Sequence, residues 1–286
     1  PEELSFTRYE PEALATIRPD LTPAVTVGLD LRNLLMMAEG GRGDQVTMQA
    51  NVHLAVEMDP RFTAYVSMGD GGAQEYGGIA YVLPLDGYVK LGRFTPDYGW
   101  RWDDHILASR RFLLVESGDP DPGYLRQTGV EVGMHTQAVE VTASLLDDLD
   151  PEKESYAGRV VLRHSPGPVN LALGASTLRQ EQSLRHPSAW AWGGFGYASV
   201  GPATWVFEVD GTGNGQHEGL IISQELTWRL RQGLFLRGAY SFQDPDRHEQ
   251  TGARDRWGVG FDLLATPFFG AQAMLNRYET FRRSDG

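Results

Sequence analysis

Between Gln45 and Met58 the chain alternates apolar and polar residues along its whole length. Val46, Met48, Ala50, Val52, Leu54, Val56 and Met58 take one parity. Gln45, Thr47, Gln49, Asn51, His53, Ala55 and Glu57 take the other, all polar except Ala55. Successive side chains on a strand point to opposite faces, so this is one long two-faced strand. Ordinary strands run about 5–6 residues, and a strand tilted across a bilayer needs about 9–11. Length and alternation together predict lipid on one face and water on the other.

Composition limits the alternatives. The 286 residues are 41% hydrophobic, enough for one large β domain, yet no apolar run approaches the roughly 18 residues of a spanning helix. There are no cysteines, which excludes disulfides, thiolate metal sites and covalent haem attachment. A net charge of -13 argues against a nucleic-acid partner. Of the 25 basic residues only Lys90 and Lys153 are lysine. Arginine stays charged in any setting and grips anions with two donors, which suits a pore wall, although a GC-rich genome would give the same bias.

Taken in order, residues 1–22 lack a period and read as a periplasmic lead-in; residues 23–286 read as a single transmembrane barrel. About fifteen alternating segments follow one another from Val25 to Tyr278. Short turns fall at 59–61, 84–87, 135–136, 165–168, 201–202, 231–233 and 265–267. Longer connections fall between them at 38–44, 69–74, 95–124, 146–155, 179–189, 211–218 and 243–254. Bacterial membrane barrels have short periplasmic turns, longer outer loops and an even strand number. The expected fold is therefore an all-β, antiparallel up-and-down transmembrane barrel of about 16 strands, with 14 as the alternative. The same rule sets the N-terminus in the periplasm, and the odd count of fifteen implies either a closing strand absent from this sequence, which is favoured, or one weak segment miscounted. Taken alone, Trp190, Trp192, Trp205, Phe207, Trp228, Tyr240, Phe242, Trp257 and Phe261, many near strand ends, fit an interfacial girdle and an ordinary β core equally; with the loop alternation the girdle is favoured.

The period fails from 95 to 124, after the fifth of these strands. This stretch mixes aromatic and charged residues, so it is expected to fold into the bore and narrow it. The expected constriction comprises Arg93, Trp100, Arg101, Trp102, Asp103, Asp104, His105, Arg110 and Arg111. Alternation assigns Asp30, Arg32, Gln49, Asn51, His53, Lys90, Glu131, Glu140, Arg159, Arg163, Glu225, Arg229 and Arg237 to the lumen wall. Both signs are present, so the wall alone predicts no strong ion selectivity.

The arrangement of strands and loops resembles Gram-negative outer-membrane porin-type barrels. The string Gly92-Arg-Phe-Thr-Pro-Asp-Tyr-Gly-Trp-Arg-Trp-Asp-Asp-His105 is also similar to a segment of porin-like barrels found alongside multihaem cytochromes. The first resemblance implies a passive channel for small hydrophilic solutes or ions, in contact with outer-membrane lipid and lipopolysaccharide, in a possible homo-oligomer. The second implies a scaffold for a cytochrome or surface protein partner.

Other chemistry is weaker. Asp103-Asp104-His105 are adjacent, and on extended chain neighbouring side chains diverge, so a salt-bridge network is favoured over a metal site or general base. Asp210-Gly-Thr-Gly-Asn-Gly215 has the start of a calcium loop, but Ile221 stands where the closing Glu is required, so a glycine-rich turn is expected. No Gly-x-Ser-x-Gly elbow or phosphate loop occurs. An envelope enzyme is thus ranked below pore and scaffold, with no cofactor or metal expected.

Overall fold

A computed structural model describes residues 20–37, 39, 41, 43–69, 72–100, 126–147, 154–180, 189–213, 217–249, 251–266 and 269–282. Among them lie sixteen strands and no helix. The first eight are β1 (Asp20–Thr22), β2 (Val25–Met37), β3 (Gly43–Asp59), β4 (Phe62–Gly69), β5 (Gly72–Leu83), β6 (Gly87–Phe94), β7 (Gln127–His135) and β8 (Val139–Asp147). The rest are β9 (Glu154–His164), β10 (Val169–Gln180), β11 (Ala189–Val200), β12 (Ala203–Gly213), β13 (Glu218–Arg231), β14 (Leu234–Asp244), β15 (Thr251–Thr266) and β16 (Phe269–Arg282). They form one 16-stranded sheet in sequence order, with each strand antiparallel to its neighbours. No ladder joins β1 to β16 among the described residues.

The fifteen segments read from periodicity are β2 to β16. The remaining strand is β1, a short piece folded back on β2 at the end of the segment read as a lead-in. Short turns close one end of the sheet. The Asp59 carboxylate accepts the Arg61 backbone N–H at 3.0 Å, and Leu85 and Asp86 both adopt positive φ in the turn after β5. The opposite end carries the longer connections, with one correction. β4 runs to Gly69 and β5 starts at Gly72, so the connection expected over 69–74 shrinks to two residues. The pairs Met68↔Ala73 and Gly69↔Gly72 carry the ladder into it past a register shift at Ser67/Met68. A second correction concerns Asp210-Gly-Thr-Gly213, read as a loop, which is the end of β12 and pairs with both β11 and β13.

One face of the sheet is apolar and uncovered. Leu29 is 80% exposed, Leu173 61% and Trp192 59%, and Val52 on β3 is 41% exposed, with no second sheet over it among the described residues. Leu31, Leu91, Val130, Leu145, Leu162, Leu226 and Val259 continue this face around the sheet. Soluble proteins rarely expose apolar patches beyond a few hundred Å². Aromatic residues sit at its two margins: Phe62, Tyr81, Trp205, Trp228 and Phe269 toward the short turns, Tyr76, Tyr156, Trp192 and Trp257 toward the other end. Of the other expected girdle residues, Phe261 is exposed and Trp190, Phe207, Tyr240 and Phe242 are half-buried. β10, at 12 residues, is about 40 Å long, or about 30 Å along the normal when tilted by about 40°. That matches a hydrocarbon core of about 30 Å.

The exposed apolar face makes a direct prediction. Leu173→Arg, near the middle of β10, should destabilise the protein refolded in lipid vesicles by about 2–4 kcal/mol in a denaturant titration. A change near zero, as for an exposed leucine in water, would rule out lipid at that position.

Candidate functional site

The opposite, inner face is polar, and strand parity places its residues. On β2 and β3, Asp30 pairs with Asn51 and Arg32 with Gln49, while His53 lies opposite Gly28. Arg32 reaches Asp30 at 2.8 Å. On β6 to β9 the inner face holds Lys90, Glu131, Glu140, Arg159 and Arg163; on β13 and β14 it holds Glu225, Arg229 and Arg237. All thirteen side chains assigned by alternation to the wall therefore share one face. Arg32 and Arg229 are the exposed members.

These groups form connected pairs. Glu140 accepts from both Arg159 and Arg163, and Glu225 from Arg237, which also approaches Asp262 at 3.8 Å. Glu131, buried on β7, accepts from the Tyr88 and Ser144 hydroxyls, each at 2.9 Å, and faces the Lys90 ammonium at 3.6 Å. Buried carboxylates require such partners, because burial of a lone charge is costly.

The segment that follows β6 lies on this inner face. Thr95 donates its N–H and its hydroxyl to Glu75 on β5, at 3.1 and 2.7 Å. The chain then crosses to β9–β12. Tyr98, 1% exposed, donates its hydroxyl to Asp210 at 2.9 Å and packs among Ala157, Leu178 and Ala191. The Gly99 N–H donates to Ser176 Oγ at 3.1 Å, and the Gly99 carbonyl accepts from Arg159 Nε at 2.9 Å. The Trp100 N–H approaches Glu208 at 3.5 Å. The Trp100 ring packs against Tyr197 and Phe195, centroids 4.9 and 6.0 Å apart, above Val161 and Ala172.

Two glycines make room for this packing. A Cβ on Gly174 would stand 2.4 Å from Phe195, and one on Gly193 would stand 2.1 Å from the Asp210 carboxylate. Asp97 is carried in on the same segment. Burial raises its carboxyl above the usual range, Glu131 adds to the rise, and Arg159 and Lys90 oppose it.

Of the expected constriction residues, Trp100 is described and sits on the inner wall. Arg93 is a correction: it has the parity of Val89 and Leu91, is exposed, and so lies on the apolar face, opposite Lys90 and Phe94. Arg101, Trp102, Asp103, Asp104, His105, Arg110 and Arg111 lie outside the described residues. Sequence reasoning missed Glu208 and Asp210, although both continue the inner parity of β12, and missed Tyr98, Ser176 and Phe195, which only the crossing segment brings together.

Known proteins were compared with this geometry in hand. No family model matches the chain, and no curated protein matches it. Among solved structures it is similar to an anion-selective porin from Comamonas acidovorans, with TM-score 0.66, 11% identity, and 90% of this chain and 89% of that one covered. It is similar also to the outer-membrane OmpT of Vibrio cholerae, with TM-score 0.64, 11% identity, and 91% and 89% covered. A trimer form of that OmpT gives TM-score 0.60, 10% identity, and 91% and 90% covered. The fold is thus that of an outer-membrane, porin-like β-barrel, all-β and antiparallel, with Thr95–Trp100 turned inward after β6.

The placement of Asp97 sets a pH dependence. Its folded carboxyl pKa is raised, so ionisation opposes the native state once pH passes the folded value, and the protonated form is the favoured one below the unfolded value. Asp97→Asn removes that penalty. Its melting temperature in detergent, relative to the parent, should therefore be higher at pH 7.5 than at pH 3.5; an equal or reversed difference would contradict the burial argument.

Proposed function

We propose that this chain is a passive channel of a bacterial outer membrane for small hydrophilic solutes and ions. The single observation that carries the reading is the seating of Thr95–Trp100 on the polar inner face, which supports a narrowing of the bore by this segment. An uncovered apolar face suits lipid, and an inner face of paired acids and arginines suits water. On this reading the thirteen wall residues line the bore, Trp100 belongs to its constriction, and the rest of 101–124 extends it. The short turns face the periplasm together with the N-terminal segment, and the longer connections face outward beside lipopolysaccharide. The trimer form of the similar Vibrio cholerae protein supports self-association of this chain as well.

The test is electrical. Purified protein in a planar bilayer should give stepwise conductance. Deleting residues 97–117 should raise the single-channel value roughly two-fold or more, because flow follows the narrowest section. Unchanged conductance in a correctly folded deletion would remove the segment from the solute path.

A further inference from the structure

One position on the outward face breaks its chemistry. Along β13 the outward residues from Leu220 onward are Leu220, Ile222, Gln224, Leu226 and Trp228, all apolar except the amide. Gln224 is exposed and stands six residues from one end of the strand and seven from the other, near the middle of the face assigned to lipid. Across the ladders it lies between Phe207 on β12 and Tyr240 on β14. Its side chain makes no hydrogen bond among the described residues. The amides of nearby strands, Asn170, Gln180, Gln243 and Asn276, take the inner parity instead.

A carboxamide in hydrocarbon meets neither donor nor acceptor, and leaving it unmet is costly. Within lipid, spanning segments are joined by bonds between polar side chains and by close approach over small residues. Both features occur together here. Gly238, diagonally across from Gln224 on β14, leaves open space where a Cβ would stand, with nothing within 4 Å.

The chemistry of the amide also selects the occupant. A carboxamide is donor and acceptor at once, so it is complementary to its own copy. In a two-fold dimer with its axis along the membrane normal, one patch meets itself, and each Gln224 donates to and accepts from the other. A head-to-tail contact would set Gln224 against a different stretch of the face. The middle of that face is apolar, as at Leu91 on β6, Val132 on β7, Leu173 on β10 and Val259 on β15, and would leave the amide unmet.

We propose that this chain forms a two-fold dimer through β12–β14, with reciprocal Gln224 amides at its centre and Phe207, Leu226 and Tyr240 packed around them. The inference rests on the outer-membrane reading and narrows its self-association to one face and one symmetry.

The chain has no cysteine, so an introduced thiol reports a single position. The test is cross-linking of the full chain, refolded in lipid vesicles at low protein density, with a short bifunctional thiol reagent. One thiol per chain links two copies where a position meets itself, which a two-fold contact provides and a head-to-tail contact does not. Leu226→Cys, two residues from Gln224 on the same face, should give a cross-linked dimer. Val52→Cys, on β3 and ten strands away in the sheet, should stay monomeric. Adding Gln224→Leu to Leu226→Cys should lower the dimer yield roughly five-fold, the effect of losing a polar contact in lipid. Ile222→Cys replaces Leu226→Cys if that variant does not refold. No link on β13, equal linking at Val52, or a yield indifferent to Gln224→Leu overturns the dimer. Stepwise conductance from the same preparation keeps the channel reading in each of those cases, and folded protein that does not conduct removes that reading separately.

Discussion

Hydrocarbon offers a peptide group nothing to hydrogen-bond, and the architecture follows from that one deficit. An unpaired N–H or C=O in lipid costs several kcal/mol, so each crossing strand must find its partners in other strands. The unbroken succession from β1 to β16, with every strand antiparallel to the one before it, meets the requirement with the shortest connections. Side-chain chemistry is then divided by geometry alone. With backbone groups committed to ladders in the sheet plane, side chains project above or below it, and the period of two separates Leu29 and Val52 from Asp30 and Asn51.

The inward segment obeys a different rule. Its described residues, Thr95–Trp100, join no ladder, and wall side chains meet their backbone groups: Ser176 for the Gly99 N–H, Arg159 for the Gly99 carbonyl, and Glu75 for the Thr95 N–H. Each such bond adds about 0.5–1.5 kcal/mol net, and more where one partner is charged. Packing of Tyr98 and Trp100 onto Ala157, Leu178 and Phe195 contributes apolar burial on an otherwise polar face. The segment is thus held as a piece of the wall.

The parts of this arrangement legible in the sequence are those set by local period. Alternation placed Glu131, Glu140, Arg159 and Arg237 on one face without knowledge of any neighbour. It failed where local cues competed. The glycines at 211 and 213 masked the continuation of β12, although they stand there because the Trp192 and Trp190 rings cover those sites. Arg93 stands beside the insert in sequence, yet its parity with Leu91 already points outward. Tyr98 with Asp210, and Gly99 with Ser176, had no local signal at all, since contacts between distant positions leave no trace in a single chain's periodicity.

The distance in sequence between the segment and its seat has a consequence for biogenesis. Tyr98 meets a residue 112 positions later, and Gly99 meets residues 60 and 77 positions later. The seat of Thr95–Trp100 is therefore complete only when β9–β12 are in place, so its packing reports on whether both halves of the sheet have come together.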